Sequence, residues 1–300
     1  MPISAQDVKL LREMTGAGIL ECKKTLEETA GDIEKAVTLL RERGIVKAEK
    51  KASRIAAEGL CSYRIDGNKA VLFELNSETD FVAKNAKFVE LIDLIAHILI
   101  KGKAKDTAEA LDSVFEGKSL KTIIDEYIAI IGEKLSLRRV TVLKKSKEEI
   151  FGAYKHMGGK IVSLSLIQGG NEEVAKNIAM HVAASNPLYL NTTLVDEHYK
   201  ANELHIITEL THKENLEDPK PKPAHILDNI ILGRLTKQLE AGSLVDQNYV
   251  KEPTIKVKQY LAQNKATVVS FLRLAVGEGL EKRNDDFASE VAAQVSAASK

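Results

Sequence analysis

Ten residues stand out for chemistry: Asn76-Ser77-Glu78-Thr79-Asp80-Phe81-Val82-Ala83-Lys84-Asn85. They set hydroxyls, acids, an aromatic ring and a cation between a β-rich run and a helical run. Two readings are open. In one, Ser77 or Thr79 is a helix N-cap and Phe81 is core. In the other, the segment is an acid–aromatic wedge on a loop between rigid elements, where binding residues often sit. Composition does not choose between them.

Other candidate chemistries are weaker. The seven histidines lack H-E-x-x-H spacing. His198, His205 and His212 recur every seven residues, near one helix face but roughly 10 Å apart. They read as a solvated or pairing face. No G-x-x-x-x-G-K-[ST] or G-x-G-x-x-G run is present. Gly158-Gly159 reads as turn geometry. The carboxylates show no acid–base pairing. The expectation is a protein that is not an enzyme, with no cofactor and no metal site.

Composition narrows the class further. Three hundred residues with 44% hydrophobic content suggest about two domains with a sizeable core. Forty-three Lys plus Arg balance 43 Asp plus Glu, which argues against direct nucleic-acid binding, normally marked by a basic excess. No apolar run reaches the ~20 residues a membrane span needs, and MPISAQDVKLLREM lacks a signal-peptide layout. Cys22 and Cys61 are too few for a disulfide framework. A cytoplasmic location is expected.

The elements that must position these residues follow from periodicity. Ser4 and Asp7 have capping-box spacing before Val8, Leu10, Leu11 and Met14. Thr15-Gly16-Ala17-Gly18 breaks that helix. Ile19, Leu20, Cys22 and Leu26 read as the stripe of a second helix. Gly31-Asp32 is a stop and an N-cap. Ile33 to Leu40 form a third helix, with Gly44 as its expected C′ residue. A basic helical connector, 46–58, follows. Two β-rich runs around Asp66-Gly67 predict a hairpin. Helices are expected over 81–100 and 119–132, and a strand over 135–143.

The same grammar then repeats. A shift of 91 residues places Tyr63 on Tyr154, Gly67 on Gly158 and Val71 on Val162. A helix follows each hairpin, at 86–100 and 172–185, and a strand closes each half, at 135–143 and 267–276. The second helix ends at Asn186-Pro187. Helices at 194–214 and 224–240 flank Pro219, Pro221 and Pro223, which suggests an antiparallel helical hairpin. The fold class is α+β. The organisation read here is a three-helix domain at 1–45, the connector, and a first core half at 59–145. A second half follows at 146–187 and 228–277, with the hairpin inserted at 188–227. A C-terminal helix occupies 278–300.

Longer stretches carry a resemblance. LLREMTGAGILECKKTLEETAGDIEKAVTLLRERG (10–44), KAEKKASRIAAEGL (47–60), NSETDFVAKN (76–85), IAMHVAASNP (178–187), GRLTKQL (233–239) and VGEGLEKRNDDFASEVAAQ (276–294) occur in order. The chain resembles the elongation factor Ts family, guanine-nucleotide exchange factors for bacterial elongation factor Tu. The resemblance implies a ubiquitin-associated-like N-terminal domain. It assigns Thr79, Asp80, Phe81 and Val82 to a loop that disturbs magnesium in the partner GTPase. It assigns His156, within Tyr154-Lys155-His156-Met157-Gly158-Gly159, to contact with the partner's phosphate loop. Lys160 stands where arginine is usual and Val162 where glycine is usual. Arg12, Lys23 and Lys24 become candidate N-terminal contacts, and 188–227 a segment for self-association. Two alternatives are a non-catalytic helical adaptor, supported by the first 45 residues, and an RNA-associated translation protein using the basic stretch Lys47–Arg54.

Overall fold

A computed structural model describes residues 3–281; the expected C-terminal helix lies outside them. The chain divides into two compact units. Of the described residues, the first contains 3–143, Gly158–Lys160 and 274–281. The second contains Lys144–Met157 and Ile161–Arg273. The mixed helix-and-sheet content is that of the α+β class.

The first unit opens with α1 (Ala5–Thr15), α2 (Ile19–Glu28) and α3 (Ile33–Lys51). Local capping sets their starts. The Ser4 hydroxyl accepts from the Asp7 N–H while the Asp7 carboxylate accepts from the Ser4 N–H, a reciprocal box. Asp32 accepts from the Lys35 N–H. Leu11, Cys22, Leu26, Ala36 and Leu40 form the bundle's core. Burial pushes the Cys22 thiol above its ordinary range. Leu10, Met14, Ile19 and Leu20 are instead exposed, contrary for Ile19 and Leu20 to their expected place in the second helix's apolar stripe. At ~100° per residue, Leu20 points roughly 160° away from Cys22.

Gly44 does not end α3, which continues two turns further. Its bare Cα lets α3 lie against a later helix: an added Cβ would sit 3.2 Å from the Cβ of Ala129. The expected helical connector is therefore the end of α3 and a non-helical run, Ala52–Ala57.

Next come β1 (Glu58–Asp66), β2 (Lys69–Ser77), α4 (Asp80–Ala83), α5 (Ala86–Lys101) and α6 (Thr107–Asp112). The short strands β3 (Val114–Phe115) and β4 (Lys118–Ser119), α7 (Leu120–Ile131) and β5 (Leu135–Lys144) complete this half. The sheet order is β1-β2-β5. Val71, Phe73 and Leu75, alternating along β2, meet Phe88, Leu91, Ile92, Ile95 and Leu99 of α5 in one core. The other face of β2 carries Glu74, fully buried and held by Arg138 (3.1 Å) and Arg139 (2.5 Å). Beside it, burial and then the Glu74 charge push the Cys61 thiol up to about 12.

The second unit contains β6 (Glu149–His156), β7 (Ile161–Gly169) and α8 (Glu172–Ser185). The helical arm α9 (Glu197–Glu217) and α10 (Ala224–Gly242) follows, then β8 (Asn248–Tyr249), β9 (Glu252–Lys256), α11 (Val257–Gln263) and β10 (Ala266–Ala275), whose last two residues fall in the first unit. The sheet order β10-β7-β6 repeats that of the first half. A uniform shift of 91 residues is not the structural equivalence, however. The first hairpin closes at Asp66↔Lys69, the second at His156↔Ile161, two residues longer. Helix α8 lies over Ser163, Ser165 and Ile167, whereas a 91-residue shift from the α5 face would name Val162, Leu164 and Leu166. A one-residue slip exchanges the faces of a strand, and the longer turn absorbs it.

The arm is antiparallel. Arg234 of α10 donates to Thr211 (3.0 Å) and pairs with Glu214 (2.8 Å) of α9, while Asn215 pins the proline-rich turn through both backbone groups of Lys222. Helix α10 runs unbroken across residue 228. The root closes where the N–H groups of Leu188 and Tyr189 donate to the Gly242 carbonyl.

Candidate functional site

The segment Asn76–Asn85 resolves into parts with different surroundings. Its base is clamped. The Glu133 carboxylate accepts from the Thr79 N–H (2.9 Å) and the Thr79 hydroxyl (2.7 Å). Glu78 accepts from the Lys134 N–H (2.6 Å) and from Arg54 (3.2 Å). The Ser77 hydroxyl donates to the Thr79 carbonyl (2.9 Å). Thr79 occupies the N-cap position of α4, but its hydroxyl is turned to Glu133 and caps nothing. Val82 and Ala83 are buried in the first unit's core. Asn85 caps α5 through the Lys87 N–H (2.8 Å).

Between these anchors Asp80, Phe81 and Lys84 are exposed, and Phe81 is the large apolar side chain among them. Phe81 is 79% exposed. The reading of Phe81 as core is thereby overturned. Its seven-residue distance from Phe88 mimics one helix, but α4 and α5 are separate. Asp80 is half-exposed, 3.5 Å from Lys84 across one turn. The site thus presents an aromatic ring beside a carboxylate on a backbone fixed from both ends. An exposed ring held this way loses little conformational freedom on entering a partner's pocket.

His156 ends β6 and is exposed, its ring 6.0 Å from Tyr154 in a stacked pair. The turn that follows needs positive φ at Met157 (47°), Gly158 (66°) and Gly159 (112°), so both glycines are turn residues. Met157 is exposed next to the histidine, a large apolar residue to which the sequence reading assigned no role. Lys160 pairs with Glu58 at 2.6 Å, and Val162 is buried within β7, so both departures have ordinary places in the fold. His156 and Phe81 belong to different units.

Arg12, Lys23 and Lys24 are exposed on α1 and α2, with Lys23 3.9 Å from Glu27. On the same two helices Met14, Ile19 and Leu20 are exposed as well, which sequence reasoning missed. His198, His205 and His212 are all exposed on the arm. Among the described residues no three or more His, Cys, Asp or Glu side chains gather to hold a metal ion. Among the same residues no helix is long and apolar enough to cross a membrane.

The described residues thus form a duplicated α+β body with a three-helix bundle and a clamped loop that displays an aromatic ring. Comparison with known proteins gives the family. Residues 78–278 match the family model described as Elongation factor TS. The chain is 50% identical over 297 residues to "Elongation factor Ts" of Acholeplasma laidlawii (strain PG-8A), covering 98% of this chain and 99% of that one. The chain belongs to the elongation factor Ts family.

Proposed function

We propose that this translation elongation factor binds elongation factor Tu carrying GDP and promotes exchange of GDP for GTP, without covalent chemistry. The observation that carries the reading is Phe81: a large apolar ring held in solvent by a loop clamped at Glu78 and Thr79 and buried at Val82 and Ala83. A GTPase holds GDP partly through magnesium bridging its phosphates. Phe81 wedges between packed elements beside that ion, and Asp80 competes for the groups that support it. The phosphate charge is then less well neutralised and the nucleotide is held less tightly. His156 acts at the phosphate loop, and the N-terminal bundle engages the nucleotide domain through Arg12, Lys23 and Lys24. Residues 188–227 are proposed for self-association.

The driving force is linkage. A factor that prefers the nucleotide-free GTPase weakens nucleotide binding by the same ratio. A ~1,000-fold weakening requires about 4 kcal/mol of differential affinity. Release of a fluorescent GDP analogue from purified elongation factor Tu, chased with excess GDP, tests the proposal. Dose-dependent acceleration by this protein is expected. A folded sample that leaves release unchanged removes the exchange reading and favours the adaptor.

A further inference from the structure

The wedge works only if its backbone is held, and the groups that hold it come from far away in sequence. Helix α7 ends at Gly132, whose left-handed backbone (φ 87°) lets its N–H cap the Ile128 carbonyl. That turn aims the next two residues at the loop. Glu133 takes both Thr79 donors, and the Lys134 N–H goes to Glu78. Gly132 and Lys134 also hold the end of α3 and the residues just after it. Lys51 donates to the Gly132 carbonyl, and the Lys134 ammonium donates to the carbonyls of Ala52 (2.7 Å) and Arg54 (2.8 Å). Arg54 in turn pairs with Glu78.

We propose that Glu133 is a positioning residue for exchange: its two-point grip on Thr79 sets the direction in which Phe81 leaves the surface. This rests on the exchange reading above. Thr79 lies two residues before Phe81, and α4 is too short to orient itself. Two parallel hydrogen bonds to one carboxylate fix a peptide plane and a side chain together, which a single bond does not. Without them the ring samples several directions, and the orientation needed beside the partner's ion is occupied for a smaller fraction of the time.

The experiment is nucleotide release from elongation factor Tu over a range of factor concentrations, giving a maximal rate and a half-saturating concentration. Glu133→Ala is expected to lower the maximal rate about tenfold while moving half-saturation less than threefold. Glu133→Gln is expected to stay within about threefold of wild type, because its amide can accept from the Thr79 N–H and donate to the Thr79 oxygen. Thr79→Val removes one bond and is expected to fall about threefold. The double variant Glu133→Ala, Thr79→Val should fall no further than Glu133→Ala alone. Melting curves of each variant show which are folded at the assay temperature; should Glu133→Ala melt, Thr79→Val and Glu133→Gln carry the test. Folded Glu133→Ala at the full wild-type maximum overturns the proposal. So does Glu133→Gln falling as far as Glu133→Ala, since charge and not the grip would then matter. If wild-type protein gives no acceleration, the exchange reading itself has failed, a result distinct from either.

Discussion

The two halves of the core differ most where strand passes to helix. In the first, eight residues, 78–85, separate β2 from α5; in the second, only Gly170-Asn171 separates β7 from α8. Both linkers end in an asparagine that caps the helix, Asn85 and Asn171. The six extra residues contain α4 and Phe81. The packing differs in the opposite sense. Helix α5 rests on Val71, Phe73 and Leu75, but α8 lies on Ser163 and Ser165, whose hydroxyls donate to the Ala179 (2.6 Å) and Ala175 (2.7 Å) carbonyls. At Gly152 a Cβ would come within 2.1 Å of the Ala175 carbonyl. One copy keeps a short link and a close helix. The other keeps a bulkier seat and an added loop. The two similar frames thus differ by a few residues at one strand end, and those residues carry the exposed ring.

The largest effect is expected from making the first link as short as the second. Deleting Thr79–Lys84 should return nucleotide release to the spontaneous rate of elongation factor Tu, with secondary structure by circular dichroism retained. Full acceleration by the deleted protein would break the comparison. Gly152→Ala should destabilise the second unit by about 1–3 kcal/mol, the usual range for overpacking, read as a lower unfolding midpoint in denaturant. Alanine at Gly67, which has open space around its Cβ position, addresses backbone strain alone and should cost less.

A smaller effect concerns His181, buried in α8. Its Nδ1 accepts from the Val250 N–H (3.1 Å), so Nε2 carries the proton and donates to Gln247 (2.9 Å). Burial holds its pKa below the ordinary 6.5. The unfolded chain therefore takes up a proton first as pH falls below about 6.5, and stability declines with acidification, by at most about 1.4 kcal/mol per pH unit. Melting temperatures between pH 7.5 and 5 should fall more steeply for wild type than for His181→Asn. Parallel curves would remove His181 as the source.

What was legible in the sequence was local. The capping box at Ser4, the N-cap at Asp32, the left-handed stop at Asn186 and the first hairpin turn depend on residues within four positions of each other. The succession of hairpin, helix and closing strand in each half followed from the repeat, while the order of the strands within each sheet came from the structure. What was not legible depended on distant partners. Gly44 reads as a helix end until Ala129 is seen beside it. Phe81 reads as core by spacing, and only the separation of α4 from α5 puts it outside. Glu133 lies 54 residues from the threonine it holds. The short elements α6, β3, β4, β8, β9 and α11 span too few residues to show a period. At the site, family resemblance named the loop and His156, while exposure, clamping and the apolar neighbours Met14, Leu20 and Met157 came from the structure.

The central claim is that the exposed ring, more than the acid beside it, drives exchange. It is tested most directly by stopped-flow release of fluorescent GDP from elongation factor Tu at saturating factor. Phe81→Ala should lose the equivalent of about 2–4 kcal/mol, as truncated interface anchors do, a fall of roughly 30-fold or more. Asp80→Ala should lose less. Equal and full activity of both variants would contradict the account.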